Sequence, residues 1–558
     1  MFSLHTHSNF SLLNGAITIE KLIGFAKKSG SGYVALTDEN AMNGLIKFAK
    51  IASAEKIKPI LGSQIKDEYH SVILIAKNNA GYSEICKIIT AKKLKDEFSI
   101  IDILSKISTN IFVLINSIQL FQLLNERGIN NENFYAELIS TEKAKKNTRL
   151  LFNYAKEHKI KIMASNPVYF EKKEDYIVHK ALNAVRLNKT IANLNDDEIE
   201  DPEYYLKSPE ELTNIWKSVP EAMWNTDDIA QQCSVDFEFH KYKFPEFKLN
   251  SDETPFSYLW KVSFRGLSER IKPITEKAVK RLQYELEVID ELRFLDYFLV
   301  VWDIVREAKT RRMVSIGRGS AANSLVAYCL GFTQINPIYH NLYFERFLNR
   351  GRLSPPDVDL DFSWKERDRL VRYIFDKYGY DKVAMISTTV TFRARSAFRE
   401  IAKAFGISQS EISKHSRFIP WTSAENLPIL AQKFPESKNL NFSTEPWKSI
   451  IEIASKIAGF PRHLSIHPSG IVITKEPITN YVALEYAGNK GLGIIITQPD
   501  MYSIEELGLI KIDLLSQRSL GVLRDTLDKV ERLHRVNNTG KNNTFVKPAN
   551  IFKLNTRD

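Results

Sequence analysis

Ser354-Pro-Pro-Asp357-Val-Asp359-Leu-Asp361-Phe362 is the stretch on which the reading of this chain turns. Asp alternates with Val, Leu and Phe, and on a β-strand residues i and i+2 share a face. Asp357, Asp359 and Asp361 are therefore expected on one face of a strand, with Val358, Leu360 and Phe362 on the other. Like charges so close repel unless a cation lies between them. Two Mg²⁺ ions ~4 Å apart, bridged by carboxylates, are the usual arrangement for phosphoryl and nucleotidyl transfer. An exposed acidic edge strand would show the same alternation, so the neighbouring sequence has to decide.

Upstream, Met313–Ile316 reads as a short strand, Gly317-Arg318-Gly319-Ser320 as a turn, and Ala321–Leu330 as a helix with an apolar face. Two glycines between a strand and a helix let the backbone approach a phosphate. The free N–H groups and the helix dipole attract its charge, Ser320 adds a hydroxyl donor, and Arg318 adds a full positive charge. An ordinary strand-to-helix turn with Ser320 as N-cap has the same form. The surroundings favour phosphate: residues 301–352 hold eight Lys or Arg against three Asp or Glu, half of the chain's formal surplus of +10. Downstream, Leu509-Ile-Lys511-Ile-Asp513-Leu-Leu515 is an apolar strand carrying one Lys and one Asp at i, i+2. A buried strand rarely carries charge without a use. Asp513 suits a third metal-binding carboxylate and Lys511 a phosphate contact, although a half-exposed strand would look alike.

These pieces, in this order, resemble the palm of bacterial DNA polymerase III alpha subunits, the C-family of DnaE type. The resemblance is carried by YFLVVWDIVREAK (297–309), GRGSAANSLVAYCLG (317–331), NLYFERFLNRGRLSPPDVDLDF (341–362) and LGLIKIDLL (507–515). It implies a nucleotidyltransferase palm with polymerase beta topology and an inserted helical thumb, behind an N-terminal barrel. It implies two Mg²⁺ ions held by Asp359, Asp361 and Asp513, with Asp357 in support. Gly317, Arg318, Gly319 and Ser320 would meet the triphosphate, with Arg352 and Lys511 as further phosphate contacts. The implied reaction is template-directed DNA synthesis from dNTPs on primer–template DNA, in replication or translesion repair.

The segment FPRHLSIHPSG (460–470) resembles the family's nucleotide-side stretch, which usually ends His-Ala-Gly-Gly; here His467 is kept and Ser469 replaces a glycine. With TFRARSAFREIAKAFG (391–406), this wording is nearer the error-prone DnaE-like branch. Arg393, Arg395 and Arg399 would line the DNA or nucleotide path, unless they are simply an exposed basic helix face.

At the other end of the chain, apolar runs at Tyr33–Thr37, Ile57–Leu61, Val72–Ala76, Ile111–Ile115 and Ile160–Ala164 read as strands between helices such as Lys21–Lys28 and Leu45–Lys56. Such βα repetition suggests an α/β layer or barrel. His5-Thr-His7 has metal-ligand spacing, and Asp38 closes the strand YVALTD. This resembles the PHP (polymerase and histidinol phosphatase) domain that opens the family, a distorted (β/α)7 barrel with up to three metals. Several of its ligands are missing: Glu39 stands for a histidine, Gln64 for a glutamate, and Pro167 and Tyr169 for an Asp/His pair. A structural domain without exonuclease activity is expected, with at most a weak metal on His5, His7 and Asp38 and with His179 as a remnant ligand. A PHP-type phosphoesterase and a non-catalytic DNA-binding remnant are the rival readings.

The resemblance lays the chain out as a PHP domain (1–238), a linker (239–265), palm in two parts (266–394 and 463–530) around a helical thumb (395–462), and a frayed tail (531–558). Leu282, Leu286 and Ile289, and then Phe298, Trp302 and Val305, are apolar stripes at helical spacing and are expected in the core. Fingers, clamp-binding and OB modules have no counterpart, so a fragment or truncated chain is expected and its stand-alone activity is in question. Replisome or mutasome proteins are the implied partners, without a sliding-clamp segment. Composition agrees: 558 residues exceed one core, 44% hydrophobic and 26% charged residues exclude a disordered chain, and +10 suits a polyanion partner. Three scattered cysteines, Cys86, Cys233 and Cys329, and no membrane-length apolar run point to a soluble protein of the reducing cytoplasm.

Overall fold

Short apolar strands separated by amphipathic helices organise the first 239 residues. A computed structural model describes residues 2–239, 241–249, 252–351, 354–356, 358–488 and 493–538. The chain forms two units. One comprises 1–239, 387–466 and 479–507, the other 240–386, 467–478 and 508–558. The expected order of domains is thus interleaved.

In the first unit six strands form one sheet in sequence order: β1 (Tyr33–Leu36), β2 (Lys58–Lys66), β3 (Ser71–Ala76), β4 (Ile111–Ile115), β5 (Phe134–Ile139) and β6 (Lys161–Ser165). The βα alternation breaks once. β2 and β3 are antiparallel and joined by a tight turn, in which the Asp67 carboxylate accepts the N–H groups of Tyr69 and His70. Ile73 and Ile75 of β3 and Phe112 and Leu114 of β4 face one way, and pack with Leu4, Ile60, Tyr135 and Met163. The segment before β1 lies between the ends of the first and last strands. Thr37 donates its N–H to Thr6, while His7 and Val168 exchange main-chain bonds with Val168 and His5. This places His5, His7 and Asp38 at the carboxyl ends of the strands.

Strand β5 is absent from the sequence-based expectation, because Glu137 interrupts its apolar run; the carboxylate is nevertheless buried. Within the same unit, Val178 and Leu182 of the helix Tyr176–Leu187 share one core with Phe398 and Ile401 of Ala394–Ala404 and with Ile450 and Ile453 of Trp447–Lys456. The expected thumb residues therefore have a hydrophobic core in common with N-terminal ones.

The second unit holds β7 (Ser315–Arg318), β8 (Asp359–Ser363), β13 (Lys511–Gln517) and the end of β10 (Pro461–Ile473), in the order β10-β13-β8-β7. The intervening strands by sequence are β9 (Val383–Thr391), β11 (Leu484–Tyr486) and β12 (Ile495–Asp500). Helices Glu276–Glu291 and Leu295–Thr310 bury the stripes expected of them, although Trp302 stays partly exposed. Two expectations change. Residues 255–265 belong to a helix, Pro255–Arg270, because Thr254 caps it by accepting the Ser257 N–H and Pro255 sits where no N–H is needed. Residues 531–538 continue the helix Arg518–Asn538 rather than fraying, while 539–558 lie outside the described residues. The three cysteines are free and buried, and burial pushes each thiol up to about 12. Among the described residues no helix is long and apolar enough to cross a membrane.

Candidate active site

Four strands of the second unit bring one residue each into a single row. Gly470 of β10 is in register with Asp513 of β13, Asp513 with Asp359 of β8, and Asp359 with Arg318 of β7. Opposed residues in a sheet share a face, as do i and i+2, so Asp361 joins Asp359, Asp513 and Arg318 on one surface. The opposite face of β8 explains why the strand holds: Leu360 and Phe362 are fully buried there, and Val358 nearly so.

The carboxylates have partners. Arg318 Nε lies 3.8 Å from Asp359 Oδ2 and 3.5 Å from Asp361 Oδ2, and Lys511 Nζ lies 3.0 Å from Asp513 Oδ2. The Ser469 hydroxyl donates to Asp513 Oδ1 at 2.7 Å, and Gln517 Nε2 to Asp361 Oδ1 at 3.4 Å. Arg367 fixes the strand itself, its Nε donating to the Leu514 carbonyl at 2.8 Å. His467 Nδ1 accepts the Gly470 N–H at 2.8 Å and that of Ser469 at 3.3 Å, so the neutral ring carries its proton on Nε2. Burial lowers the His467 pKa, with Lys511 and Arg367 assisting and Asp513 opposing.

Around Gly317 the backbone is packed so closely that a Cβ would stand 1.8 Å from the Phe332 carbonyl oxygen, and Gly319 adopts φ +73°, where a side chain is strained. The helix expected from Ala321 begins at Leu325. A 3₁₀ turn, Gly319–Asn323, comes first, and Ser324 rather than Ser320 is the N-cap. The cause is Glu285, whose Oε2 accepts from the Ser324 hydroxyl at 2.7 Å and the Val326 N–H at 3.0 Å. The N–H groups beside Gly319 and Ser320 thus belong to the tight turn.

The donor chemistry suits a hard divalent cation: three carboxylates on one face, offset by Arg318 and Lys511. Among the described residues no three His, Cys, Asp or Glu form a group that could hold a metal ion.

In the first unit, His5 and His7 meet, with 3.0 Å between their Nε2 atoms. Their Nδ1 atoms are held at 2.8 Å from Glu137 Oε1 and 2.9 Å from the Ser11 hydroxyl. Asp38 reaches neither ring. Its oxygens accept the Ser8 N–H and the hydroxyls of Ser8 and Ser11, and burial still pushes its carboxyl up to about 6. Tyr169 stacks on His7 at 4.1 Å, and burial, then His5, hold the His7 pKa well below its usual value. His179 uses both ring nitrogens internally, Nδ1–H donating to the Asn14 carbonyl at 2.8 Å and Nε2 accepting the Glu200 N–H at 3.1 Å, which leaves no lone pair for a metal.

A family model described as the bacterial DNA polymerase III alpha NTPase domain matches residues 257–516, and one for the PHP domain matches residues 3–128. The DNA polymerase III subunit alpha of Bacillus subtilis is 34% identical over 555 residues, covering 95% of this chain and 49% of the relative. The chain carries a PHP domain and a bacterial DNA polymerase III alpha domain. An error-prone DNA polymerase of Symbiobacterium thermophilum is 32% identical over 94% of the chain and 52% of its own length. The DNA polymerase III subunit alpha of Aquifex aeolicus is likewise 32% identical, over 96% and 52%. Relatives of both names match about equally, and the chain spans about half the length of the curated relatives it matches.

Of the residues singled out by sequence, Asp359, Asp361, Asp513, Arg318 and Lys511 come together, with His467 and Ser469 behind Asp513. Arg352 and Asp357 lie outside the described residues. Arg393, Arg395 and Arg399 belong to the first unit, all exposed, with Arg395 Nη2 donating to the Ile419 carbonyl at 2.6 Å. Sequence reasoning missed Glu285, Gln517 and Glu137. Glu285 had a readable signal, since it lies between Leu282 and Leu286 on the apolar face of its helix.

Proposed function

We propose that the chain carries out template-directed DNA synthesis, adding a nucleotide to a primer 3′-hydroxyl at the face formed by Asp359, Asp361 and Asp513. The observation that supports this reading is the row Gly470–Asp513–Asp359–Arg318, with Asp361 beside it. We read β7, β8, β10 and β13 as a nucleotidyltransferase palm and 395–462 as its thumb. The three aspartates would hold Mg²⁺. Bound there, Mg²⁺ supplies charge neutralisation at the α-phosphate and lowers the pKa of the 3′-hydroxyl.

The chain's own residues do the rest. Arg318 moves from the carboxylates to the incoming triphosphate, which exchanges one anion for another. Lys511 and Arg352 add positive charge where pyrophosphate leaves, and Gly317, Gly319 and Ser320 let the backbone and a hydroxyl approach it. His467 presents Nε2–H as a neutral donor on the nucleotide side. The first unit serves as a PHP domain without a multinuclear metal cage, a reading supported by Tyr169 stacked on His7 and by the internal bonds of His179. Primer extension with Mg²⁺ and dNTPs tests the assignment. Asp361→Asn is expected to abolish extension while primer–template binding and the melting temperature stay near those of the parent. Extension that persists in purified Asp361→Asn protein would show that the metal ligands lie elsewhere.

A further inference from the structure

A cavity of about 610 Å³ opens in the second unit between the helices Pro255–Arg270 and Leu295–Thr310, at the Ser315 end of β7. Arg318 is at the other end of that strand, ~10 Å along it. Five cations line the cavity, Arg265, Arg270, Arg306, Lys309 and Arg312, against the single carboxylate of Glu269. Two of the five are engaged. Arg306 binds Asp303 at 2.6 Å, a carboxylate also taken by Lys377, Tyr373 and Tyr378. Among the described residues Arg270 bonds neutral acceptors, the carbonyls of Tyr328 and Thr333 and the amide of Gln334, and its half-buried charge has no bonded counter-ion there. Arg265, Lys309 and Arg312 are exposed, and among the described residues their side chains have no ion pair or hydrogen bond.

Apolar side chains line the cavity as well: Val262, Met313 and Val314 are buried there, and Trp302 is partly exposed, with one face covered by the Arg306 guanidinium at 4.7 Å. The floor is rigid, because Gly266 packs so tightly that a Cβ would stand 2.0 Å from the Cys329 carbonyl oxygen. Scattered surface arginines would be solvated singly. Here three cations without a side-chain partner among the described residues share a cavity of ligand size with a small group of apolar side chains. That combination suits a molecule with a planar ring and an anionic group.

We propose that this cavity binds a phosphorylated nucleoside, as a free nucleotide or as one unit of a nucleic-acid strand, with the phosphate on Arg265, Lys309 and Arg312 and the base against Val262, Trp302 and Val314. The inference does not use the carboxylate face and stands or falls apart from it.

The test uses the full chain in EDTA, with mant-dATP and fluorescein-labelled oligo(dT) as probes. The combined Arg265→Glu, Lys309→Glu, Arg312→Glu variant is compared with a control reversing exposed Lys143, Lys145 and Lys146, and all melting temperatures are recorded. If the triple variant melts early, the corresponding Gln substitutions replace it. The expected result is an affinity loss of at least ~10-fold in the cavity variant alone, with a salt slope for oligo(dT) shallower by about 2. Loss of mant-dATP binding names the free nucleotide as ligand, and loss confined to oligo(dT) names the strand. The proposal is overturned if the parent chain binds neither probe, if the cavity variant binds both as the parent does, or if the control loses as much.

Discussion

Asp513 and Asp359 stand directly opposite one another across the parallel strands β13 and β8. Two carboxylates facing each other in register would be destabilising by themselves. Lys511 on Asp513, and Arg318 between Asp359 and Asp361, offset that repulsion. The same cations are those the proposed reaction needs near a triphosphate, so the face is held by groups that a substrate or metal would draw away.

Ser469 is the only hydroxyl in hydrogen-bond contact with Asp513 among the described residues, donating at 2.7 Å from a buried position. Its bond orients one carboxylate oxygen and leaves the other to Lys511. Ser469→Ala is expected to slow primer extension roughly tenfold, the worth of one hydrogen bond to a charged group, and to raise the Mg²⁺ concentration at half-maximal rate. The melting temperature should barely move. An unchanged Mg²⁺ titration would mean that Asp513 needs no such support.

Gly317 and Gly319 are two residues apart and should respond differently to alanine. A Cβ at Gly317 meets backbone, the Phe332 carbonyl oxygen at 1.8 Å, so β7 must shift; a loss of ~3 kcal/mol in urea unfolding is expected. At Gly319 the nearest atom is Asp359 Oδ2 at 3.9 Å, so the cost is that of φ +73° alone, ~1 kcal/mol. Equal destabilisation by the two substitutions would contradict this account.

How far the sequence revealed this site depends on whether a signal was local. The alternation in Asp357–Phe362 correctly places Asp359 and Asp361 on one face of β8, because strand periodicity needs no knowledge of neighbours. Which strands flank β8, and the register of Asp513 with Asp359, are long-range facts that no window contains. The same holds for Ser469 reaching Asp513 and for Glu285 drawing the helix start from Ala321 to Leu325. Glu137 broke the apolar pattern of β5 because it is buried against His5, so the residue that hid the strand is a member of the N-terminal cluster. Pro255 and Thr254 were readable as a helix start. The polar, aperiodic residues before them mask that signal and give the stretch the look of a linker.

Glu285 is fully buried and shared by Arg281, Ser324 and Val326. Glu285→Ala leaves a hydroxyl, an N–H and a guanidinium short of an acceptor, and should destabilise the second unit by about 3 kcal/mol; Glu285→Gln, which keeps an acceptor, should cost about half as much. Urea unfolding measures both. If Glu285→Gln were as damaging as Glu285→Ala, the charge rather than the hydrogen bonds would be what holds the Ser324 cap.

His179 gives the first unit a pH dependence of defined sign. Burial, assisted by Arg186, lowers its pKa from 6.5 to about 4, so between these values the unfolded chain binds a proton that the folded one refuses. Stability from this group is present above pH 6.5 and is lost as pH falls to 4, by about 3 kcal/mol in all. Asp38 acts oppositely. Burial raises its pKa from 3.8 to about 6, so protonation favours the folded state and stability from it falls as pH rises through that range. The two slopes oppose each other, and the difference between parent and variant isolates that of His179. Urea unfolding at several pH values between 4 and 7 should show that His179→Gln is less stable than the parent at pH 7 and that the gap closes toward pH 4. Parallel curves would mean that folding leaves the His179 pKa unshifted. The gap must close because at low pH the parent has to expel a proton from a ring whose nitrogens are committed to the Asn14 carbonyl and the Glu200 N–H, and the glutamine has none to expel.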